Sequence, residues 1–374
     1  LSGFAGLVWQ VAWVRQLALA FGGSVQAVTL VTAVFLAGLG VGARLGGAWA
    51  DRVRAPARAY AACEIAVAAW GLALLPVLHA LADLGIGGYT ADAHGWMVPG
   101  GVAHAARRGI TARRLGPPTL AMGASLPLLA RPALAGALAH AGWRAGLLAA
   151  VNTAGAAAGA LCTDLLLVPA FGLAGTQGVA AGAGILAATL AWRSSTAVPA
   201  PAPVSPPVPA PIAAPTPPSP PAPTPPPRRL ALALAGFAAM GFEVAWFRFL
   251  GSALGPSRAM FSLLLAVLLV GWLGGALLGG VLARRGRPAA LFAGAQAAVA
   301  ILALGGLALH DPRALVRQQL ALRDADAHWS TALQHVLNLW TIAAVVLPAA
   351  VAMGACFPLA NALVQDDPAR VGHR

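Results

Sequence analysis

"GFEVAWFRFLG", residues 241–251, sets a Glu and an Arg five residues apart inside an apolar stretch, and a near copy, "GLVWQVAWVRQLA", occupies residues 6–18. In the copy an amide, Gln10, stands at the position of Glu243, while Trp13 and Arg15 match Trp246 and Arg248. The match runs further. Residues 3–52 align with 236–285 without a gap, at 23 identities in 50 positions. A second pair of blocks, "PPTLAMGASLPLL" at 117–129 and "LPAAVAMGACFPLA" at 347–360, shares the pattern Pro-x-x-x-Ala-Met-Gly-Ala-x-x-Pro-Leu. The sequence predicts two copies of one design.

Composition sets the solvent in which that design folds. The chain is 59% hydrophobic and 9% charged, with a mean hydropathy of +0.76. A soluble domain carries about 25% charged residues. Apolar runs recur that are long enough to cross a hydrocarbon core of ~30 Å. The reading is an all-α polytopic membrane protein. A β-barrel would need alternating residues and polar loops, and neither is present. The net charge of +13 comes from Arg alone, because the chain has no Lys. The arginines gather at the ends of apolar runs, which fits the positive-inside rule better than nucleic-acid binding. Without Lys, Schiff-base and P-loop chemistry are excluded. Cys63, Cys162 and Cys356 sit in apolar runs at unrelated spacings, and the histidines are scattered, so neither a disulfide framework nor a metal site is expected. No motif in the chain calls for a cofactor, and it shows no catalytic domain.

The organisation follows from the repeat. Expected helices are 2–21, 25–50, 59–82, 115–139, 144–169 and 171–192, then 230–254, 258–283, 289–309 and 332–364, about ten crossings. Residues 1–192 form a first six-helix repeat. Residues 193–229 hold more than half of the chain's 30 prolines and form a linker, of polyproline II character and semi-rigid. Residues 230–374 form a second, incomplete repeat of about four helices. The chain starts at Leu1 within an apolar run and stops at "DDPARVGHR", before a counterpart of the first half's last two helices, so it reads as cut at both ends. Arg52, Arg54 and Arg58 follow the second helix; Arg284, Arg285 and Arg287 follow the eighth. Six helices separate these loops, which puts both on one side, the cytoplasmic one, together with the linker. The repeats are then parallel, related by an axis along the membrane normal. Residues 104–114, "HAARRGITARR", fall on the outer side of this scheme. Either they form a basic loop before a short fourth helix, or the reading frame there is faulty.

The chain has only two glutamates, Glu64 and Glu243, and both fall in expected membrane helices. Glu243 aligns with Gln10, and Glu64 aligns approximately with Gln296, so each half keeps one acid and one amide at two equivalent places. Ionisable groups inside a membrane are costly and usually face a bundle interior or a cavity. Two roles fit these four residues. The acids lock helices together by pairing with Arg15, Arg44 or Arg248, or they line a cavity that meets a proton or a cationic solute. Arg15 and Arg248 would then be a gate or structural ion-pair partners. Trp13 and Trp246 are read as packing or interfacial residues. Gly38, Gly42 and Gly46 are spaced by four, as are Gly271, Gly275 and Gly279 at matching positions. Such small-xxx-small ridges let helix backbones approach closely.

These blocks, with "GLGVGARLGGAWADR" at residues 38–52, resemble the membrane portion of bacterial fused major-facilitator/spermidine-synthase-like proteins. There "(Y/W)-E-x-x-W-x-R-x-L" opens each half and "P-x-x-x-M-G-A-x-x-P" recurs. The resemblance covers nearly all of the chain except 90–114 and the linker. Gln10 departs from the family's acid. The loop "GAWADRVRAPAR" lacks the internal Gly of the major-facilitator signature, and "GVLARRGRP" lacks its Asp. Proton antiport through that motif is therefore not expected. The resemblance implies a major-facilitator-like bundle in the bacterial inner membrane. It implies a transporter-like module for polyamines or another cationic amine. The alternative is a membrane anchor for an aminopropyltransferase without transport. The expected partners are the lipid bilayer, a cationic small molecule, and a fused or neighbouring synthase domain, the last of which is absent from these residues; no nucleic acid is expected.

Overall fold

The computed structural model describes residues 1–21, 24–83, 89–91, 93–95, 97–99, 101–134, 138–194, 226–254, 259–283, 287–323 and 327–364. The Pro-rich linker from 195 to 225, Arg284, Arg285 and residues 365–374 lie outside them. In chain order the first half holds α1 Ser2–Phe21, α2 Ser24–Ala50, α3 Pro56–Asp83, strands β1 Tyr89–Ala91 and β2 Met97–Pro99, α4 Gly101–Leu134, α5 Leu138–Cys162, a π-helical turn Thr163–Leu167, and α6 Val168–Arg193. The second half holds α7 Pro226–Leu254, α8 Met260–Ala283, α9 Pro288–Ala308, α10 Pro312–Arg323 and α11 Ala327–Val364.

The architecture is that of a multi-pass helical membrane protein. Seven stretches among the described residues are long and apolar enough to span a bilayer. In hydrocarbon every backbone polar group must be satisfied within the segment, and Ala-, Leu- and Val-rich helices meet that demand. One stretch, Leu147–Arg193, is 47 residues long. At 1.5 Å per residue it would reach roughly 70 Å, over twice the hydrocarbon core. It is interrupted at the π-helical turn and again at Gly172, whose φ of 67° and ψ of −178° lie outside helical values. Only glycine adopts that conformation cheaply. Large apolar side chains cover the outside. Phe237, Leu309, Trp340 and Phe357 are each at least 70% exposed. A soluble monomer rarely shows so much apolar surface; a bilayer accepts it.

Residues 104–114 are helical, part of the 34-residue α4. That helix is ~50 Å long at 1.5 Å per residue, so it exceeds the ~30 Å core. Arg108, Arg113 and Arg114 on its first half are exposed. The basic segment is thus helix, not loop, and its counterpart in α11 is helical too. The short α10 was not expected. It buries Leu315 and Gln319, four residues apart, and exposes Arg313, Arg317 and Leu320.

The two halves are packed with the same joints. In the first, α4 packs on α2 and α3; in the second, α11 packs on α8 and α9. A Cβ on Gly38 would meet Thr119, one on Gly42 would meet Leu120 and Gly123, and one on Gly46 would meet Ala124. The matching glycines repeat this. Gly271 faces Ala350, Gly275 faces Val351 and Gly354, and Gly279 faces Ala355. Each partner in α11 is the residue that the "Ala-Met-Gly-Ala" blocks equate with its partner in α4. The pairing is also reciprocal, since Gly123 rests on Leu39 and Gly354 on Trp272, another equivalent pair. The opening motif repeats as well. Trp9 stacks on Trp13 at 5.5 Å and Phe242 on Trp246 at 5.7 Å. Trp13 and Trp246 are fully buried.

Candidate functional site

Three acids, Glu64, Asp164 and Glu243, lie buried in the helical interior. Glu64 lies on α3 with 6% of its surface exposed. Ser2 Oγ at the start of α1 donates a hydrogen bond to Glu64 Oε1 at 2.6 Å. Tyr60, one helical turn before Glu64 and itself buried, is a second hydrogen-bond neighbour. Around this carboxylate the first-half helices leave a cavity of about 720 Å³. Its polar lining comes from Glu64, Tyr60, Ser2, Asn152, Ser125 and Ser194, and its walls include Trp9, Phe35, Leu39, Val67 and Met122. Among the described residues lining it, Glu64 is the only acid. Residues of α1, α2, α3, α4, α5 and α6 line it.

Asp164 is the second acid. It sits in the π-helical turn, 7% exposed. Arg15 Nε of α1 pairs with its Oδ1 at 2.5 Å. Ser262 Oγ of α8 donates to its Oδ2 at 2.5 Å. Interruptions of this type occur often at functional sites. Here the widened turn presents a carboxylate to both halves of the chain at once, beside the extensive contact of α5 with α8.

Glu243 is the third. It is 6% exposed on α7, and no described residue forms a hydrogen bond or ion pair with it. Neither Glu243 nor Gln10 lines the cavity at Glu64. Gln10 is buried on α1, and Gln296 is half-buried on α9. Arg15 is engaged by Asp164, whereas Arg248 and Arg44 are exposed. The structure therefore gathers Glu64 with residues not anticipated (Ser2, Tyr60 and Asn152) and joins Arg15 to an unanticipated acid.

Asp164 carried the same signal as the glutamates, an ionisable residue in the apolar run "ALCTDLLLVP". Glu64 and Glu243 stood out as the chain's only glutamates, a count that passes over an aspartate. The cavity itself, assembled from residues of six helices, has no sequence signature. Compared with protein-family models, with curated proteins and with solved structures, the chain matches none.

Proposed function

We propose that the chain is the membrane module of a carrier-like protein, with two parallel repeats in a major-facilitator-like bundle of about ten crossings. It binds a cationic amine in the cavity at Glu64. One observation carries this reading: a chamber of about 720 Å³ inside the bundle holds a buried carboxylate. Pockets for small molecules are concave and mostly apolar, with a few well-placed polar groups, and this one has that character. A carboxylate in low dielectric attracts a cation strongly and repels anions. The equivalent glycine joints of the two halves, and the 47-residue stretch long enough to cross twice, support the repeat. The opening and Met-Gly-Ala motifs support kinship with spermidine-synthase-fused membrane modules of the bacterial inner membrane. Amine chemistry at Glu64 suits a neighbouring aminopropyltransferase.

A second reading has its own support. Glu64 is already hydrogen-bonded by Ser2, and Asp164 by Ser262. Satisfied acids of this kind lock helices, as an anchor for a synthase domain would need. Uptake of a panel of labelled amines into proteoliposomes, with wild type beside Glu64→Gln, separates the two. Uptake by wild type that falls at least tenfold in the variant supports the carrier. A folded wild-type protein that moves no amine leaves the anchor.

A further inference from the structure

We infer that α10 is an interfacial helix whose Arg313 and Arg317 bind the phosphate headgroup of an anionic phospholipid. The inference needs only the multi-pass architecture and stands apart from the reading of the Glu64 cavity.

Position along the chain is the first argument. α9 begins directly after Arg287 and is 21 residues long. At 1.5 Å per residue that is about one hydrocarbon core, so its far end reaches the opposite membrane face. α10 follows at once, and its 12 residues are too few to cross. α11 then carries the chain back through the span Ala332–Ala360. α10 therefore lies at the boundary between hydrocarbon and water, on the face away from Arg287. Arginine beside membrane spans gathers on one face, so arginine on the second face calls for another partner.

The pattern of the helix is the second. Residues four apart share a face. Leu315 and Gln319 form the buried side, where α10 packs on α7 and α11. Gln319 Nε2 donates to Asn338 Oδ1 at 2.9 Å, and Gln334 Nε2 donates to Gln319 Oε1 at 2.9 Å. These buried amide bonds fix α10 against α11. Two stripes remain outside. Val316 and Leu320 form an apolar one, 40% and 54% exposed. Arg313 and Arg317, both exposed, form a basic one beside it. An apolar stripe next to a basic stripe on a short helix suits acyl chains on one side and headgroups on the other.

Charge is the third. The nearest acid is Asp311. Its Oδ1 accepts the backbone N–H of Arg313 at 2.9 Å, which caps the helix. Its Oδ2 lies 3.9 Å from Arg317 Nη2, and both side chains are more than half exposed. Such a surface pair holds arginine weakly. Guanidinium groups one helical turn apart can then meet one phosphate with several charge-assisted hydrogen bonds.

The test places a fluorophore on Ala321→Cys, an exposed position four residues after Arg317, in the full chain without its native cysteines. The protein is reconstituted in phosphatidylcholine vesicles, and quenching by brominated phosphatidylglycerol is compared with quenching by brominated phosphatidylcholine. A preference for phosphatidylglycerol of roughly tenfold or more is expected, because each arginine near an anionic surface contributes about fivefold. Arg313→Gln with Arg317→Gln should abolish the preference and melt like wild type. Arg313→Lys with Arg317→Lys should keep most of it. Glycerol phosphate dissolved in the buffer should not displace the lipid. Equal quenching by the two lipids, or a preference that survives the double Gln variant, overturns the inference. Quenching by neither lipid sets α10 apart from the bilayer and overturns it too. Displacement by glycerol phosphate shows a seat for soluble anions and overturns the lipid assignment. If the labelled protein folds poorly, native mass spectrometry of the unlabelled chain decides. Wild type should retain more phosphatidylglycerol than the double Gln variant, and equal retention overturns the inference.

Discussion

Arg15 on α1 and Asp164 in the π-helical turn form an ion pair at 2.5 Å, and the same carboxylate accepts a hydrogen bond from Ser262 on α8. One buried acid therefore ties three segments drawn from both halves of the chain. Burying such a pair gains little over an apolar pair, but removing one partner strands the other charge. Asp164→Asn should destabilise the protein by about 3–5 kcal/mol, and Ser262→Ala by about 1.5–3 kcal/mol, since it deletes a hydrogen bond to a charged group. Arg15→Gln combined with Asp164→Asn should recover much of the loss, because no charge is then left unpaired. Unfolding in detergent micelles, run as a double-mutant cycle, measures the coupling. Additive single effects would show that the pair makes no contribution of its own.

The repeated glycine joints predict matched sensitivity. A side chain at Gly42 would run into the backbone at Leu120 and Gly123, and one at Gly275 into the backbone at Val351 and Gly354. Gly42→Leu and Gly275→Leu should each lower stability by about 1–3 kcal/mol through overpacking. Gly40 and Gly274 lie close by, where an added Cβ would meet nothing within 4 Å. Gly40→Leu and Gly274→Leu should therefore be tolerated. The measurement is the melting temperature of all four variants. Equal melting of the two classes would mean that the ridges are not packed as described.

These joints were legible in the sequence because spacing by four is a local property of one helix, and the repeat supplied a second example. The site was less so. Glu64 could be picked out as an acid in an apolar run, but its neighbours Ser2 and Asn152 lie 62 and 88 residues away, and nothing local announces them. Asp164 shows the converse. Its signal was present, yet attention went to the chain's only two glutamates, and an aspartate in a similar apolar run was passed over. Gly172 and the π-helical turn are changes of helical register, and an apolar run of Ala, Leu and Val carries no mark of register. The basic stretch in α4 misled because charge density resembles a loop, whereas helix length decides where such residues emerge from the bilayer.

The parallel-repeat arrangement proposed above fixes the sides of the membrane. Arg54, in the α2–α3 connection, and Arg287, just before α9, are both exposed, and they should share the cytoplasmic side. Arg54→Cys and Arg287→Cys, each in a background lacking the three native cysteines, should resist an impermeant thiol reagent in intact cells and react after permeabilisation. Labelling of one position from outside and not the other would defeat the parallel arrangement.

Glu243 poses the opposite case to Glu64. It is 6% exposed on α7 and has no hydrogen-bond or ion-pair partner among the described residues, so its burial is uncompensated. A buried polar group left unsatisfied costs about 1–3 kcal/mol. Glu243→Met, of similar length and apolar, should then raise stability by about that amount. Glu64→Met, which strands Ser2 and Tyr60, should be neutral or destabilising. Proteins retain uncompensated buried acids mainly where they act. Glu243→Met is accordingly expected to gain stability and to lose amine uptake in proteoliposomes. A gain in stability with full uptake would remove Glu243 from the transport reading and leave Glu64 as its sole acid. A lower melting temperature for Glu243→Met would mean that the carboxylate is held by a favourable contact, and the uncompensated-burial argument would fail.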